Sequence, residues 1–428
     1  MNNSQSTQVR RVTYRFRQFM LCAALFVFIL PSKARSQDSK VTDEPEIVDT
    51  TADWNEFDLG FTTFRFGAAF IHEYAAYQQN ADGKEQMTLA AVQLKNKFQF
   101  RDFRFFANGR LRRNRNLIWK VAGMKDAVTE QWVFRETGLL IGVPHWHSEF
   151  FVGRSKEGYS LVKVENGYSV WSNERQMSLD LIPIMVDGIR WYGYLPKSRL
   201  FWSLGAFTDG IDENNRFAIW DRQVSGRFGW RPIYSDATGE LVHLGINARY
   251  AKPDEGQIRV RSKPESNPAP YFIDTGVFAS DHSTAVGWEA HYRKGAFMAN
   301  SEGNSYSFHS VQAGNPRYFG ADVEAVYVLT GEVRSYLSNN SVFWFVEPKK
   351  SIFQGGPGAW EYAFRYSSFN LNEGLQPGGR FWKLTSTLNW YLSNYLRLEA
   401  VYGYGVLDRF NLNGATQFFQ TRFQFQIL

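Results

Sequence analysis

Apolar and polar residues alternate along much of the C-terminal half of the chain. The runs 360–367, 382–392, 396–404 and 419–427 each carry apolar residues on one parity and mostly polar residues on the other. This period of two is typical of β-strands with one apolar and one wet face. Trp and Tyr recur near the ends of these runs, as in the interfacial girdles of membrane barrels, whereas soluble sandwiches favour Val, Ile and Leu. The pattern favours an all-β, transmembrane antiparallel β-barrel over a sandwich.

The barrel pattern begins near Phe57 and continues to Leu428. At roughly 23 residues for each strand and its connection, this length predicts about 16 strands, although 14 or 18 also fit. We therefore assign residues 57–428 to an outer-membrane barrel.

The N-terminus carries an export pattern. Basic residues precede an apolar run at 19–30, and the small-x-small site Ala34-Arg35-Ser36 follows it. This order predicts a cleaved secretory signal peptide over residues 1–36, because the apolar run is short for a membrane span. An uncleaved anchor helix is the alternative. The only cysteine, Cys22, lies in this run, so the predicted mature chain has no disulfide.

The net charge of the whole chain is +6, but the charge is distributed unevenly among three segments. The predicted signal holds six Lys or Arg and no acid, which leaves the predicted mature chain with 42 basic and 42 acidic residues. Residues 37–56 hold seven acids and one base, and we read them as an acidic periplasmic extension. The remainder carries an excess of six positive charges. A barrel must place this excess in its lumen, turns or loops, which favours anions as passengers and gives no support for a nucleic-acid partner.

One long connection, residues 156–183, is rich in Tyr, Trp, Val and Leu. An exposed loop has little use for so much apolar surface, so we predict that this loop folds into the lumen. An additional strand pair with a subunit contact is the alternative. Lys163 and Arg175 on this loop are candidate pore residues, although nearby acids could pair with them.

Other candidate pore residues lie on predicted strands. Arg guanidinium groups suit phosphate because they donate two parallel hydrogen bonds. In the run 258–263 the basic residues share the parity opposite Ile258 and Val260, which predicts a lumenal face, with a solvated external hairpin as the alternative. These candidates are Arg259, Arg261 and Lys263. Further candidates are Arg249 on the preceding predicted strand, and Arg104 and Arg110 on the non-aromatic parity of 103–111.

The sequence contains no pattern typical of an enzyme or of a metal site. His145 and His147 flank Trp146, but two imidazoles need a third ligand from elsewhere. No Gly-rich phosphate loop, nucleophile elbow or zinc-binding helix motif occurs. We therefore predict no cofactor and no catalytic residues, with a barrel-embedded hydrolase as the minor alternative.

Several segments resemble the family of phosphate-selective porins O and P. They are 108–111, 151–161, 258–266, 271–276, 327–332, 358–366 and 388–392, in the shared order. The resemblance implies a homotrimer of 16-stranded outer-membrane barrels, a third loop folded into each pore, and a basic lining that attracts anions. The chain departs from the usual pattern by ending in Leu428 instead of an aromatic residue.

These observations predict a porin in the outer membrane of a diderm bacterium, in contact with its lipid. It would pass small anions, phosphate or related oxyanions, by passive diffusion. A broad-specificity or sugar porin is one alternative, with Tyr159, Tyr168 and Trp171 as an aromatic track for sugars. A structural or adhesive envelope barrel is another.

Overall fold

A computed structural model describes residues 54–114, 116–126, 130–208, 220–235 and 237–427. The predicted signal peptide and most of the predicted acidic extension lie outside these residues.

The regular secondary structure of the described chain is mostly strand. Its elements, in order, are β1 (Glu56–Asp58), β2 (Thr63–Gln79), α1 (Ala81–Leu89), β3 (Lys97–Arg110), β4 (Leu117–Asp126), β5 (Trp132–Phe134), β6 (Thr137–Val143), β7 (Ser148–Ser155), α2 (Leu161–Val164), β8 (Val186–Leu195), β9 (Leu200–Thr208), β10 (Trp220–Ser235), β11 (Glu240–Pro253), β12 (Gln257–Ser262), β13 (Ile273–Ala279), β14 (His282–Lys294), β15 (Phe297–His309), β16 (Arg317–Val328), β17 (Tyr336–Leu337), β18 (Val342–Phe343), β19 (Ala359–Asn370), β20 (Arg380–Tyr391), β21 (Leu396–Arg409) and β22 (Leu412–Ile427). Short 3-10 turns occur at Pro144–Trp146, Met177–Leu181, Asp254–Gly256 and Ile352–Gln354.

The wall is a closed antiparallel barrel. Successive wall strands pair with each other, and β22 pairs back with β2 from Ala68↔Ile427 to Gln79↔Thr416. Both β5 and β6 pair with β4, so they form one interrupted strand, while β1 only extends the edge of β2. The hairpins β12–β13 and β17–β18 are separate from the wall. The described wall therefore has 16 strands, which confirms the predicted fold.

The apolar parity faces outward, as lipid contact requires. On β22, for example, Phe419 and Phe423 are exposed, whereas Gln420 and Arg422 are buried toward the lumen. Within the described residues, no helix is long and apolar enough to cross a membrane.

The two ends of the barrel differ in their connections. At one end, here the turn end, most connections are short, and both Trp54 and Ile427 lie there. The opposite end, here the loop end, carries most of the longer connections. In outer-membrane barrels short turns face the periplasm and long loops face outward, which orients the molecule.

Three connections contribute to the filling of the lumen. Loop A (156–185) and loop B (254–281) enter from the loop end, and loop C (329–358) enters from the turn end. Loop A is described throughout and contains α2 and the Met177–Leu181 turn but no strand. The predicted lumenal loop is thus confirmed, and the alternative of a strand pair is wrong. Loops B and C were not predicted to enter the lumen.

All three loops pack against the inner face of β10–β22. Glu302 on β15 accepts a hydrogen bond from the Val162 N–H of loop A, 3.1 Å away. Glu265 of loop B pairs with Arg365 at 2.8 Å, and Arg334 of loop C pairs with Glu361 at 2.7 Å. The loops therefore occupy the β10–β22 side of the lumen.

Candidate functional site

Inward side chains remain accessible to solvent on the opposite side of the lumen, along β3–β8. The side chains of Arg104, Lys120 and Glu136 are 18%, 34% and 36% exposed there. On the packed side, those of Arg227 and Arg334 are 1% and 0% exposed. The first three charged side chains are therefore within reach of solvent, although Arg154 and Arg190 on β7 and β8 are buried.

Four cations gather along this accessible side, and we name them the basic cluster: Arg104, Arg135, Lys156 and Arg175. Arg104 lies on β3, Arg135 lies between β5 and β6, and the other two lie on loop A. Arg135 is repelled electrostatically by Arg104 and Arg175. Lys156 is repelled by all three other members of the cluster. The wall and loop A thus face each other with like charges.

Gly167 of loop A separates two of these guanidinium groups. A Cβ on Gly167 would lie 3.5 and 3.7 Å from Nη1 and Nη2 of Arg175, and 3.7 Å from Nη1 of Arg104. The missing side chain leaves a small space that three guanidinium nitrogens surround.

Backbone carbonyls, not carboxylates, hold the two cations of loop A. Arg175 donates from Nε to the Val162 carbonyl at 2.6 Å and from Nη2 to the Glu165 carbonyl at 2.7 Å. Lys156 donates from Nζ to the Val164 carbonyl at 3.0 Å and also to that of Glu165. Carbonyls orient these cations without neutralising them.

Asp102 connects Arg104 to loop A. Arg104 donates to Asp102 at 2.7 Å, and its guanidinium lies 4.5 Å from the ring centroid of Tyr168. Tyr168 in turn donates its hydroxyl proton to Asp102 at 2.5 Å. Asp102 also accepts from Arg101 at 3.3 Å. One carboxylate therefore serves two arginines and fixes the loop against the wall.

Arg135 lies at the interruption of the fourth wall strand. Within the residues that the structure describes, no carboxylate forms an ion pair with its guanidinium, although Asp102 attracts it. The next residue, Glu136, pairs instead with Lys120 at 2.7 Å, nearer the turn end. Among the four cations only Arg104 has a direct carboxylate partner, Asp102, although Glu136, Glu165 and Glu174 lie near enough to attract Lys156 and Arg175.

Two predicted residues lie in the lumen but on its packed side. Arg249 faces inward on β11, pairs with Glu157 of loop A at 2.8 Å and stacks on Trp220 at 4.5 Å. Lys163 is buried in α2 and donates from Nζ to the Leu179 carbonyl at 2.9 Å. Both charges support loop packing instead of facing the accessible space.

The predicted lumenal face of β12 is wrong for Arg259. Its side chain is 45% exposed and pairs with Asp274 at 2.5 Å, whereas Ile258 and Val260 are buried. Burial opposes the ionisation of Asp274, but hydrogen bonds from Arg259 and from the Gly276 N–H still lower its pKa. In this hairpin the apolar parity turns inward, because the hairpin covers an apolar core at the loop end instead of facing lipid.

The remaining predicted residues lie apart from the cluster. Arg261 stacks on Tyr271 at 4.1 Å, and Lys263 donates to the Asn267 carbonyl. Arg110 is exposed near the turn end, where it lines a cavity of about 310 Å³ with Tyr192. Of the predicted residues, only Arg104 and Arg175 meet in the basic cluster.

The aromatic track proposed for sugars does not form. Tyr159, Tyr168 and Trp171 are all buried in the packing of loop A. The Tyr159 hydroxyl donates to Asn304 at 3.0 Å, and the Trp171 Nε1–H donates to Glu324. These rings hold the loop in place and offer no surface to a solute.

The chain matches the family model described as phosphate-selective porin O and P over residues 96–427. It belongs to this family. A relative from Caulobacter vibrioides, described as an uncharacterized protein, is 26% identical over 205 residues, which cover 47% of this chain and 39% of that relative. The chain thus spans well under two thirds of that relative's length.

Solved structures of outer-membrane porins share the fold. OmpT of Vibrio cholerae in its trimer form has a TM-score of 0.53 at 10% identity, over 86% of this chain and 100% of OmpT. An anion-selective porin from Comamonas acidovorans gives the same TM-score, identity and shares of each chain. OprB of Pseudomonas putida gives 0.51 at 11% identity, over 85% of this chain and 94% of OprB. The fold of this chain is therefore that of an outer-membrane porin.

Sequence reasoning missed Arg135, whereas it counted Lys156 among the basic residues of the predicted lumenal loop that could line the constriction. Arg135 and Glu136 interrupt the alternation between Trp132–Phe134 and Thr137–Val143. A charged pair inside one predicted wall strand was the sequence feature that could have identified Arg135 as a candidate. Lys156 follows β7 directly, so its position at the root of loop A fixes it near the wall.

The turn that contains His145 and His147 lies at the turn end. Among the described residues, no group of three or more His, Cys, Asp or Glu could hold a metal ion.

Proposed function

We propose that this chain is an anion-selective porin that passes small anions, phosphate or related oxyanions, by passive diffusion. The observation that supports this is the basic cluster: four cations border the solvent-accessible side of the lumen, and a single carboxylate, Asp102, pairs directly with one of them. The family membership agrees with the proposal.

Spaced cations suit conduction better than one deep site. An anion must lose part of its hydration on entry and still leave, so several weak partners along a path serve it well. Here the cations divide between the wall and loop A, and carbonyls keep two of them oriented. Cations would meet repulsion from the same groups.

The space above Gly167 supports a preference for oxyanions. An oxygen placed there would lie near three guanidinium nitrogens of Arg104 and Arg175. A guanidinium group can donate two parallel hydrogen bonds to two oxygens of one phosphate, whereas chloride is a single atom and cannot accept such a matched pair.

The proposal includes export by a cleaved signal peptide and a homotrimer in the outer membrane. The N-terminal sequence pattern supports the signal. The trimer form named for OmpT supports the assembly, as a property of that related fold.

A structural envelope barrel remains the second candidate, because loops A, B and C fill the β10–β22 side of the lumen. Planar-bilayer recordings of the purified protein under a salt gradient separate the candidates. We expect a reversal potential set by the anion and a chloride current that phosphate blocks. Absence of conductance would support the structural barrel. Large, weakly selective conductance would support a general diffusion porin.

A further inference from the structure

The lumenal wall carries an apolar patch near the turn end of the β3–β8 side. Ile118 on β4 pairs with Leu140 on β6, and Leu140 pairs with Phe151 on β7. Leu140 faces the lumen, because its neighbour Leu139 is exposed on the outer face. The interior of a membrane barrel is ordinarily polar. The patch therefore needs an explanation other than contact with lipid.

A cavity of about 310 Å³ lies against this patch. Ile118, Leu140 and Tyr192 line its apolar part, and Asn339 of loop C lines another side. The cavity thus lies between the wall and loop C. Ligand sites in proteins are mostly apolar, with a few polar groups, and occupy about 300–1,000 Å³. This cavity is at the lower end of that range, which fits a small organic molecule.

Arg110 on β3 supplies a positive charge at one edge of the cavity. Within the part of the chain that the structure describes, no carboxylate forms an ion pair with its guanidinium. Its partner across the β3–β4 pairing is Ile118 of the apolar patch. An unpaired guanidinium directly beside an apolar surface matches a solute that joins an anionic group to an apolar body.

Glu149 on β7 also lines the cavity, and it sets the direction in which an anion binds. Its side chain hydrogen-bonds that of Tyr192. Strands β4 and β6 lie between β3 and β7, so about 14 Å separates the backbones of the two outer strands. An anionic group therefore favours the Arg110 edge, away from Glu149. Its apolar body then covers Ile118 and Leu140, which lie between the two edges.

Other solute classes fit only one part of this cavity. Inorganic phosphate would lose hydration against Ile118 and Leu140 and gain no apolar contact there. A neutral sugar would leave the Arg110 guanidinium without an anionic partner. A molecule with one carboxylate and a compact apolar body matches both the charge and the apolar patch.

We propose that this cavity binds small organic carboxylates whose apolar body has about six to eight carbon atoms, with benzoate as the simplest aromatic example. The carboxylate lies on Arg110, and the apolar body covers Ile118 and Leu140. The inference rests on the proposed function, because solutes must enter the lumen, and it adds an organic class to the inorganic oxyanions.

Fluorine NMR of the purified full-length protein in detergent tests the proposal, with protein-free detergent as the blank. The probes are para-fluorobenzoate and fluoroacetate, which carry the same charge and differ in their apolar body. We expect para-fluorobenzoate to bind roughly tenfold more tightly, because only its ring buries apolar surface on Ile118 and Leu140.

Ile118→Asn replaces part of the apolar patch and should weaken para-fluorobenzoate binding several-fold, with fluoroacetate binding unchanged. Ala122→Asn is the matched control, because it introduces the same amide on the lumenal parity of β4 but outside the cavity. It should bind both probes like wild type, as should Ile118→Leu. Arg110→Gln should weaken the binding of both probes. Arg110 is exposed, so this variant keeps the proposal testable if Ile118→Asn does not fold.

Equal affinity of the wild type for the two probes would overturn the proposal. An unchanged ratio in Ile118→Asn, the same loss in Ala122→Asn, or unchanged binding in Arg110→Gln would do so as well. Neutral para-fluorobenzyl alcohol should bind more weakly than para-fluorobenzoate, and equal affinity would overturn the assignment to carboxylates. These measurements require no ion conduction. A protein that binds para-fluorobenzoate as expected but shows no anion selectivity in bilayers would contradict the proposed function alone.

Discussion

The two sides of the lumen use charged residues in different ways. On the β10–β22 side, arginines are buried and ion-paired with carboxylates, as Arg334 is with Glu361 and Arg227 with Glu289. On the β3–β8 side Arg154 also forms a buried pair with Asp187, but Arg135 has no ion pair in the described chain, and carbonyls hold Arg175. The first arrangement stabilises the loops, and the second leaves charge available to a solute.

This difference shows why the number of basic residues in a lumen does not measure its attraction for anions. A buried arginine whose carboxylate partner is equally buried presents almost no net field to a passing ion. An arginine held by neutral groups presents nearly its full charge. The effect of the excess of six positive charges in residues 57–428 on anion attraction therefore depends on which of those basic residues are paired with carboxylates.

The largest expected effect comes from breaking a pair on the packed side. Arg334→Met leaves Glu361 buried without its cation, which should lower the free energy of unfolding by about 3–5 kcal/mol. Urea unfolding followed by heat-modifiable migration measures this effect. Arg135→Met is the matched change on the accessible side and should alter the free energy of unfolding by less than about 1 kcal/mol. Equal losses in both variants would remove the distinction between the two sides.

Reversing one charge on the accessible side should mainly change selectivity. Arg135→Glu introduces a negative charge beside Arg104 and Arg175 and should disfavour anions by on the order of 2 kcal/mol, roughly thirtyfold in preference. Reversal potentials in a salt gradient measure the change. Unchanged selectivity with normal conductance would place the ion path elsewhere.

Filling the space at Gly167 should act on oxyanions more than on chloride. Gly167→Leu places carbon atoms between the guanidinium groups of Arg104 and Arg175, so phosphate block should weaken about tenfold, or about 1.4 kcal/mol. Gly167→Ala should give a smaller effect in the same direction. If phosphate block and chloride current fall in equal proportion, the residue only narrows the path.

The smallest expected effect concerns the tether of loop A. Tyr168→Phe removes the hydroxyl that donates to Asp102, at a cost of about 1 kcal/mol in stability. It should also broaden the distribution of single-channel conductance, because Arg104 loses a fixed neighbour. Tyr159→Phe removes a comparable buried hydroxyl on the packed side and should leave conductance unchanged. Similar conductance changes in both variants would contradict the local role of Tyr168.

The sequence was sufficient to predict the barrel, because every wall strand must alternate between lipid and lumen. It also predicted loop A, whose apolar residues had to be covered. The entry of loops B and C was not predicted, although loop C carries the apolar run 342–346. Their position also involves ion pairs such as Glu265 with Arg365, which join residues 100 positions apart. Such pairs are not visible in a single sequence.

The error at Arg259 has a physical origin. Parity identifies the two faces of a strand but does not say which face is inside. In the wall the apolar face meets lipid, whereas in the β12–β13 hairpin it covers the apolar core under the loop end. Arg104 lies on β3, which belongs to the wall, so the parity opposite its aromatic residues faces the lumen, and the role of Arg104 in the pore stays a prediction.

The most direct test compares two sets of arginine neutralisations in planar bilayers. The cluster variant carries Arg104→Gln, Arg135→Gln and Arg175→Gln, and the control carries Arg259→Gln and Arg261→Gln on the β12–β13 hairpin at the loop end. Our account predicts that the cluster variant loses anion preference and phosphate block while the control keeps both. Retained anion preference in a folded, conducting cluster variant, or equal loss in the control, would contradict it.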